Sequence, residues 1–187
     1  GGGLGGAPPQ LGSDQLGDGV RGGGGVGAAV EAGTGATAEH VVDGAGHFVA
    51  HREDRLGPQR ILGAYAWRTL RRDGARLTFN ADNPGSDHRI FYGLHSAITR
   101  QDKQLQPPGG WYPEQRLTIE EAIRAYTSWA AYAAFREDQT GIIAKGRWAD
   151  LTVMDIDPFA LAATAPEKIL AGRILATIVS GKVVYQR

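Results

Sequence analysis

Cysteine is missing from all 187 residues, and with it every route to a disulfide framework, a thiolate metal site or a thiol nucleophile. That absence accords with a cytoplasmic protein. Net charge is missing too, since 20 basic residues balance 20 acidic ones. Without a basic stripe there is no electrostatic ground for nucleic acid or an anionic membrane surface as a partner. No apolar run approaches the roughly 20 residues of a membrane-spanning helix. The glycine-rich start has no basic region leading into an apolar one, as an export signal would. These absences leave a small-molecule or protein partner for a chain long enough to form one domain with its own core.

Glycine, by contrast, is abundant and concentrated. Residues 1–52, with G-G-G-L-G-G, R-G-G-G-G-V-G and G-T-G-A-T, hold more than half of the 28 glycines. Such a segment loses much backbone entropy on ordering and has few large side chains to bury in return. It is expected to be disordered, or else foreign to the rest, such as the product of a disturbed reading frame. No G-x-x-x-x-G-K-[ST] run is present to cradle a phosphate. His40, His47 and His51 close the segment. The H-x-x-x-H spacing of the last two would align both rings on a helix, but Gly44, Gly46 and the lack of an apolar stripe argue for exposed loop histidines.

Beyond Arg52 the pattern becomes that of a folded protein. Ile61, Leu62, Ala64, Tyr65, Trp67 and Leu70 follow an amphipathic helical period, with Pro58 near its first turn. Gly74 caps that helix, residues 75–81 read as a short strand, and Asp82 stands at its C-terminal tip. Asn83-Pro84-Gly85-Ser86 turns the backbone away at once. The carboxylate is thereby held at a rim, where parallel α/β folds bind ligands. His88 lies six residues beyond Asp82 and can reach the same cleft, which makes it a candidate substrate contact. Residues 90–99 are apolar at helical spacing, with His95 read as a partly buried packing residue.

Residues 100–116 form a long polar loop interrupted by Pro107, Pro108, Gly109, Gly110 and Pro113; its Trp111 and Tyr112 act either as the tip of a lid or as pins to the body. Thr118-Ile119-Glu120-Glu121 has the spacing of a capping box. In the helix that follows, Ile119, Ala122, Ile123, Tyr126, Ala130 and Ala133 share a face, and Trp129, Tyr132 and Phe135 are expected in the core. Residues 141–187 predict two short strands about Lys145-Gly146, a loop with a short helical piece over 158–172, and a hairpin about Ser180-Gly181-Lys182. Helices and a strand come first and antiparallel strands last, so the pattern is an α/β body with a small β appendage.

The same stretches carry a family likeness. D-R-L-G-P-Q-R, A-Y-A-W-R-T-L, D-G-A-R-L-T-F-N-A-D-N-P, L-T-I-E-E-A-I-R-A-Y-T, G-I-I-A-K-G-R-W-A-D-L-T-V-M-D-I-D-P and I-V-S-G-K-V-V-Y resemble the C-terminal part of the amidohydrolase superfamily. The branch is amidohydrolase-3, which includes enzymes similar to N-substituted formamide deformylase. The likeness covers about residues 53–187 and is most distinctive over 146–155. It implies the last βα units of a (β/α)8 metal-dependent hydrolase barrel over 53–140, and the C-terminal strands of a small β-sandwich over 141–187. Asp82 matches the aspartate closing the last barrel strand, although the family reads G-S-D-x-P where this chain has N-A-D-N-P. In the family that carboxylate binds or faces the metal and takes the proton of the attacking water. The resemblance therefore implies Asp82 as catalytic and metal residue, zinc as cofactor, and a small amide or N-acyl compound cleaved at a non-peptide C–N bond. Asp150 and Asp155 match the β appendage, which makes them structural.

The departures carry equal weight. A full barrel takes roughly 250 residues, and the family's early His-x-His pair, its mid-barrel bridging residue and its fifth- and sixth-strand histidines have no convincing counterparts. Glu39-His40 is set among glycines that do not make a strand. A lone carboxylate does not make a zinc site, which typically takes three protein ligands. The expectation is a chain with little metal affinity and little turnover by itself, whose open sheet edges and apolar faces favour self-association. The alternative is a non-catalytic folding or binding module that pairs with another chain.

Overall fold

The computed structural model describes residues 29–31, 47–80 and 88–187. Asp82, Glu39, His40 and most of the glycine-rich segment lie outside them. Within that segment β1 (Ala29–Glu31) pairs in parallel with β2 (Arg76–Thr78), Val30 opposite Leu77. Between them, α1 (His47–Arg60) is interrupted at Gly57 (φ 73, ψ 169), next to Pro58. Proline disfavours helical backbone in the residue before it, and glycine tolerates the conformation that results. A 3-10 turn at Ile61–Gly63 and α2 (Trp67–Arg72) follow. The single helix expected here is therefore a series of short pieces. A second correction concerns His47 and His51, whose backbone lies in α1 and not in a loop.

The end of α2 follows its sequence closely. Gly74 (φ 88) donates to the Arg71 carbonyl at 3.1 Å, and Ala75 donates to that of Leu70 at 3.0 Å. This left-handed cap satisfies the last helical carbonyls and turns the chain into β2. At the far end of β2 the Phe79 amide donates to the Ala125 carbonyl at 3.1 Å. Phe79 then packs on Trp67 and Tyr126 at ring separations of 5.0 and 5.7 Å.

The core is a single cluster that includes Ile61, Trp67, Leu77, Phe79, Leu94, Trp111 and Ile169. The helix expected over residues 90–99 is α3 (Ile90–Thr99), and most of its residues are buried. The loop after it is fastened to the body. Trp111 is buried, donates its indole Nε1–H to Glu53 Oε1 at 2.6 Å and meets Tyr112 edge-on at 4.6 Å. Of the two readings of these aromatics, pins fit the structure.

α4 (Ile119–Tyr126) begins with the expected capping box, Thr118 and Glu121 each bonding the other's backbone N–H. The helix stops at Thr127 and resumes as α5 (Ser128–Ala133). Trp129 is buried as expected, but Phe135 is 89% exposed, a correction to its expected place in the core. The segment 141–150 forms no strands either. It folds back on 137–140, with the Trp148 amide donating to the Gln139 carbonyl at 2.7 Å. The appendage comprises β3 (Leu151–Met154), α6 (Pro158–Thr164), a 3-10 turn at Pro166–Ala171, β4 (Ile174–Val179) and β5 (Lys182–Gln186). Its strands form one antiparallel sheet in the order β3-β4-β5. The predicted hairpin turns at Ser180 (φ 50) and Gly181 (φ 77), the two positive-φ positions of a tight two-residue connection.

Candidate functional site

The candidate site is the carboxyl end of β2. The parallel β1–β2 pair, the Phe79–Ala125 hydrogen bond and the aromatic packing of Phe79 fix the chain as far as Phe79. Asp82 follows three residues later, outside the described residues. His88 is exposed, just ahead of Arg89, which leads into α3.

The other sequence candidates separate by burial and bonding. His95 is wholly buried in α3, with its Nδ1 3.5 Å from the Thr99 hydroxyl and its Nε2 without a hydrogen-bond partner among the described residues. Burial holds its pKa below 6.5, although the charges of Asp102 and Glu167 pull the other way. It is a packing residue, more deeply buried than its sequence suggested. Asp150 bonds the Ser180 amide at 2.8 Å and the Thr140 hydroxyl at 3.0 Å. Asp155 accepts from the Arg173 amide at 2.7 Å and from its Nε at 3.1 Å. Both carboxylates fasten the appendage, in keeping with a structural role.

Sequence reasoning missed Arg100. It caps α3 in the left-handed conformation and is fully buried, with its guanidinium 4.8 Å from the Trp67 ring and 4.9 Å from that of Trp111. Its Nε donates to the Trp111 carbonyl at 2.9 Å. Desolvation lowers its pKa to about 9, opposed by the charge of Glu114. Nothing in the run I-T-R-Q-D signals this, because the tryptophans that enclose it are far away in sequence. A cleft of about 310 Å³ lies beside Thr99, Arg116, Thr118 and Ala162. Its lining contains no carboxylate or imidazole, and so no general base of the usual kind.

A family profile described as "Amidohydrolase family" matches residues 28–185. The chain belongs to the amidohydrolase family. Among its relatives, the Bacillus subtilis protein named "Putative amidohydrolase YtcJ" is 33% identical over 145 residues, covering 75% of this chain and 27% of that protein. The N-substituted formamide deformylase of Arthrobacter pascens is 28% identical over 129 residues, covering 69% of this chain and 23% of the enzyme. This amidohydrolase chain thus spans about a quarter of the length of the curated relatives it matches. A solved structure of an uncharacterized metal-dependent hydrolase from Pyrococcus horikoshii OT3 shares the fold of the matched part. Its TM-score is 0.50 and its identity 23%, over 65% of this chain and 24% of that one.

Among the described residues of this amidohydrolase, no group of three or more His, Asp or Glu side chains is close enough to hold a metal ion. A catalytic zinc typically takes three protein ligands. The described donor set therefore does not fit one. No helix among these residues is long and apolar enough to cross a membrane.

Proposed function

We propose that this chain is the C-terminal portion of a metal-dependent amidohydrolase, a hydrolase of non-peptide C–N bonds in small amide or N-acyl compounds. In this reading residues 53–140 are the last βα units of a (β/α)8 barrel, and 141–187 are the C-terminal strands of a β-sandwich. The observation that supports it most is the parallel pairing of β1 with β2, with β2 running toward Asp82 inside the family match. Asp82 is the proposed catalytic and metal-facing carboxylate. A carboxylate at that rim, within hydrogen-bond reach, can take a proton from water and return it to a leaving nitrogen. His88 is the proposed substrate contact and zinc the proposed ion. Because the family's His-x-His pair, bridging residue and fifth- and sixth-strand histidines have no counterparts in this sequence, the chain alone is proposed to turn over little.

Hydrolysis of N-acyl amino acids and formamides, with zinc added, by the chain and by Asp82→Asn tests this reading. The expected result is no turnover above the zinc blank by either protein. Asp82-dependent turnover would overturn the proposed inactivity and keep Asp82 in its role. Turnover above the zinc blank and equal in both proteins would overturn the proposed inactivity and remove Asp82 from the chemistry.

A further inference from the structure

The cleft of about 310 Å³ opens where the end of α3, the start of α4 and α6 meet. Pockets that take small molecules begin near this size. None of its lining residues belongs to β1–β2 or to β3-β4-β5, the elements whose open edges and faces further strands would cover. α3 carries the chain about 15 Å from Ile90 to Thr99, so the cleft also stands a helix length from His88. Five of its nine lining residues are apolar, Ile98, Ile119 and Ala162 among them, and its one charged side chain is Arg116.

Arg116 is held in place. Its Nε donates to the Thr99 carbonyl at 3.1 Å and its Nη2 to that of Gly109, while its own carbonyl accepts from Arg68 at 3.0 and 2.8 Å. Gly110 (φ 86) lets the loop close on this wall, since a methyl group there would stand 2.2 Å from the Thr99 carbonyl oxygen and 3.1 Å from Arg116 Nη2. What the guanidinium lacks is an acid. Among the described residues no carboxylate lies within ion-pairing distance of it, and its Nη1 makes no hydrogen bond. The two carboxylates that follow Ile119 are already engaged, Glu120 by Arg124 at 2.6 Å and Glu121 by Arg68 at 2.7 Å. Thr118 accepts the Glu121 amide at its hydroxyl oxygen, which leaves the hydroxyl hydrogen to donate.

We propose that this cleft binds a small aliphatic monocarboxylate, its head on Arg116 Nη1 and the Thr118 hydroxyl and its tail along Ile98, Ile119 and Ala162. A guanidinium matches a carboxylate in charge and hydrogen-bonding geometry, and one already fixed by its neighbours loses little freedom on binding. The apolar residues give the tail a surface that an inorganic anion cannot use. An N-acyl substrate of the proposed hydrolase releases an acid of this class. That link rests on the proposed function, whereas the binding rests on the cleft alone.

Titration of the full chain with sodium hexanoate at neutral pH, followed by amide NMR shifts, tests this. The expected result is saturable shifts centred on the cleft residues, with a midpoint of about 1 mM for so small a ligand. Hexanamide keeps the tail and loses the charge, and it binds about tenfold more weakly or worse. Hexanoate weakens by a similar factor in Arg116→Gln, and also in Ala162→Phe, where the ring occupies the cleft. Shifts that do not saturate, shifts centred elsewhere, equal binding of hexanamide, or undiminished binding by Arg116→Gln overturn the proposal. The two ligands are compared on the wild-type chain, so that result stands even where a variant fails to fold. All of these outcomes are independent of the zinc and hydrolysis assays, because no residue of the cleft is assigned to the chemistry.

Discussion

Arg68 and Glu121 meet two nitrogens to two oxygens, Nη1 to Oε1 at 2.9 Å and Nη2 to Oε2 at 2.7 Å. The same guanidinium donates to the Arg116 carbonyl through Nε and Nη2, at 3.0 and 2.8 Å. Glu121 also accepts from the Thr118 amide at 2.9 Å, which closes the capping box. One ion pair thus joins α2 to the start of α4, and both helices contact the strand that leads to Asp82.

Removing Glu121 takes away a helix cap and leaves Arg68, 21% exposed, without its charge partner. Glu121→Ala is expected to lower stability by about 2–3 kcal/mol, read from urea unfolding. Glu121→Gln, which keeps an acceptor for the cap, is expected to lose less. Burial opposes ionisation of Glu121, but its hydrogen bonds to Arg68 and Thr118 and the charges of Arg68 and Arg71 outweigh that, leaving its pKa below 4.5. Its contribution is therefore present above pH 4.5 and is lost as pH falls through the lower folded value.

His95 gives a second acid-sensitive step at higher pH. Burial lowers its folded pKa below the 6.5 of the unfolded chain, so below that pH the unfolded state binds more protons. Stability is expected to be full above pH 6.5 and to fall as pH drops below it. Urea midpoints at about pH 7.5 and about pH 5.5 check this. In His95→Gln the difference between them should shrink, and an unchanged difference would assign the loss to other groups.

Arg100 lies against two indole rings and bonds the Trp111 carbonyl. A lysine has neither the flat face to stack nor the fork to hold the carbonyl. Arg100→Lys is expected to cost about 2 kcal/mol or more, with a change in tryptophan fluorescence. A stability within error of the wild type would show that the stacking contributes little.

Gly172 has an ordinary backbone conformation (φ −58), yet a methyl group there would stand 2.5 Å from the Phe91 ring and 2.8 Å from Ile156. Gly172→Ala is therefore expected to destabilise by overpacking, by about 1–3 kcal/mol. Thermal unfolding measures it. Phe91→Leu in the same chain should recover part of the loss, because it removes the ring the methyl strikes.

What the sequence revealed and what it hid follow from the range of the forces involved. The capping box at Thr118, the cap at Gly74 and the Ser180-Gly181 hairpin are local devices, and all three are in place. The helix expected to run on past Tyr126 breaks because the Ala125 carbonyl, which would bond Trp129 in a continuous helix, takes the Phe79 amide instead. That contact joins residues far apart in the chain, and no local pattern reports it. Asp150 similarly draws 141–150 away from strand geometry by bonding both Thr140 and Ser180. The family was legible in ordered motifs, and the profile match bears it out. The roles of Asp82 and His88 rest on that resemblance and remain proposals.

Calorimetric titration of the chain with zinc, beside Asp82→Asn, tests the central claim most directly, that a carboxylate beyond β2 stands without the companions a metal needs. No saturable one-to-one uptake, and the same trace for both proteins, is the expected result. Stoichiometric binding that Asp82→Asn abolishes would contradict it.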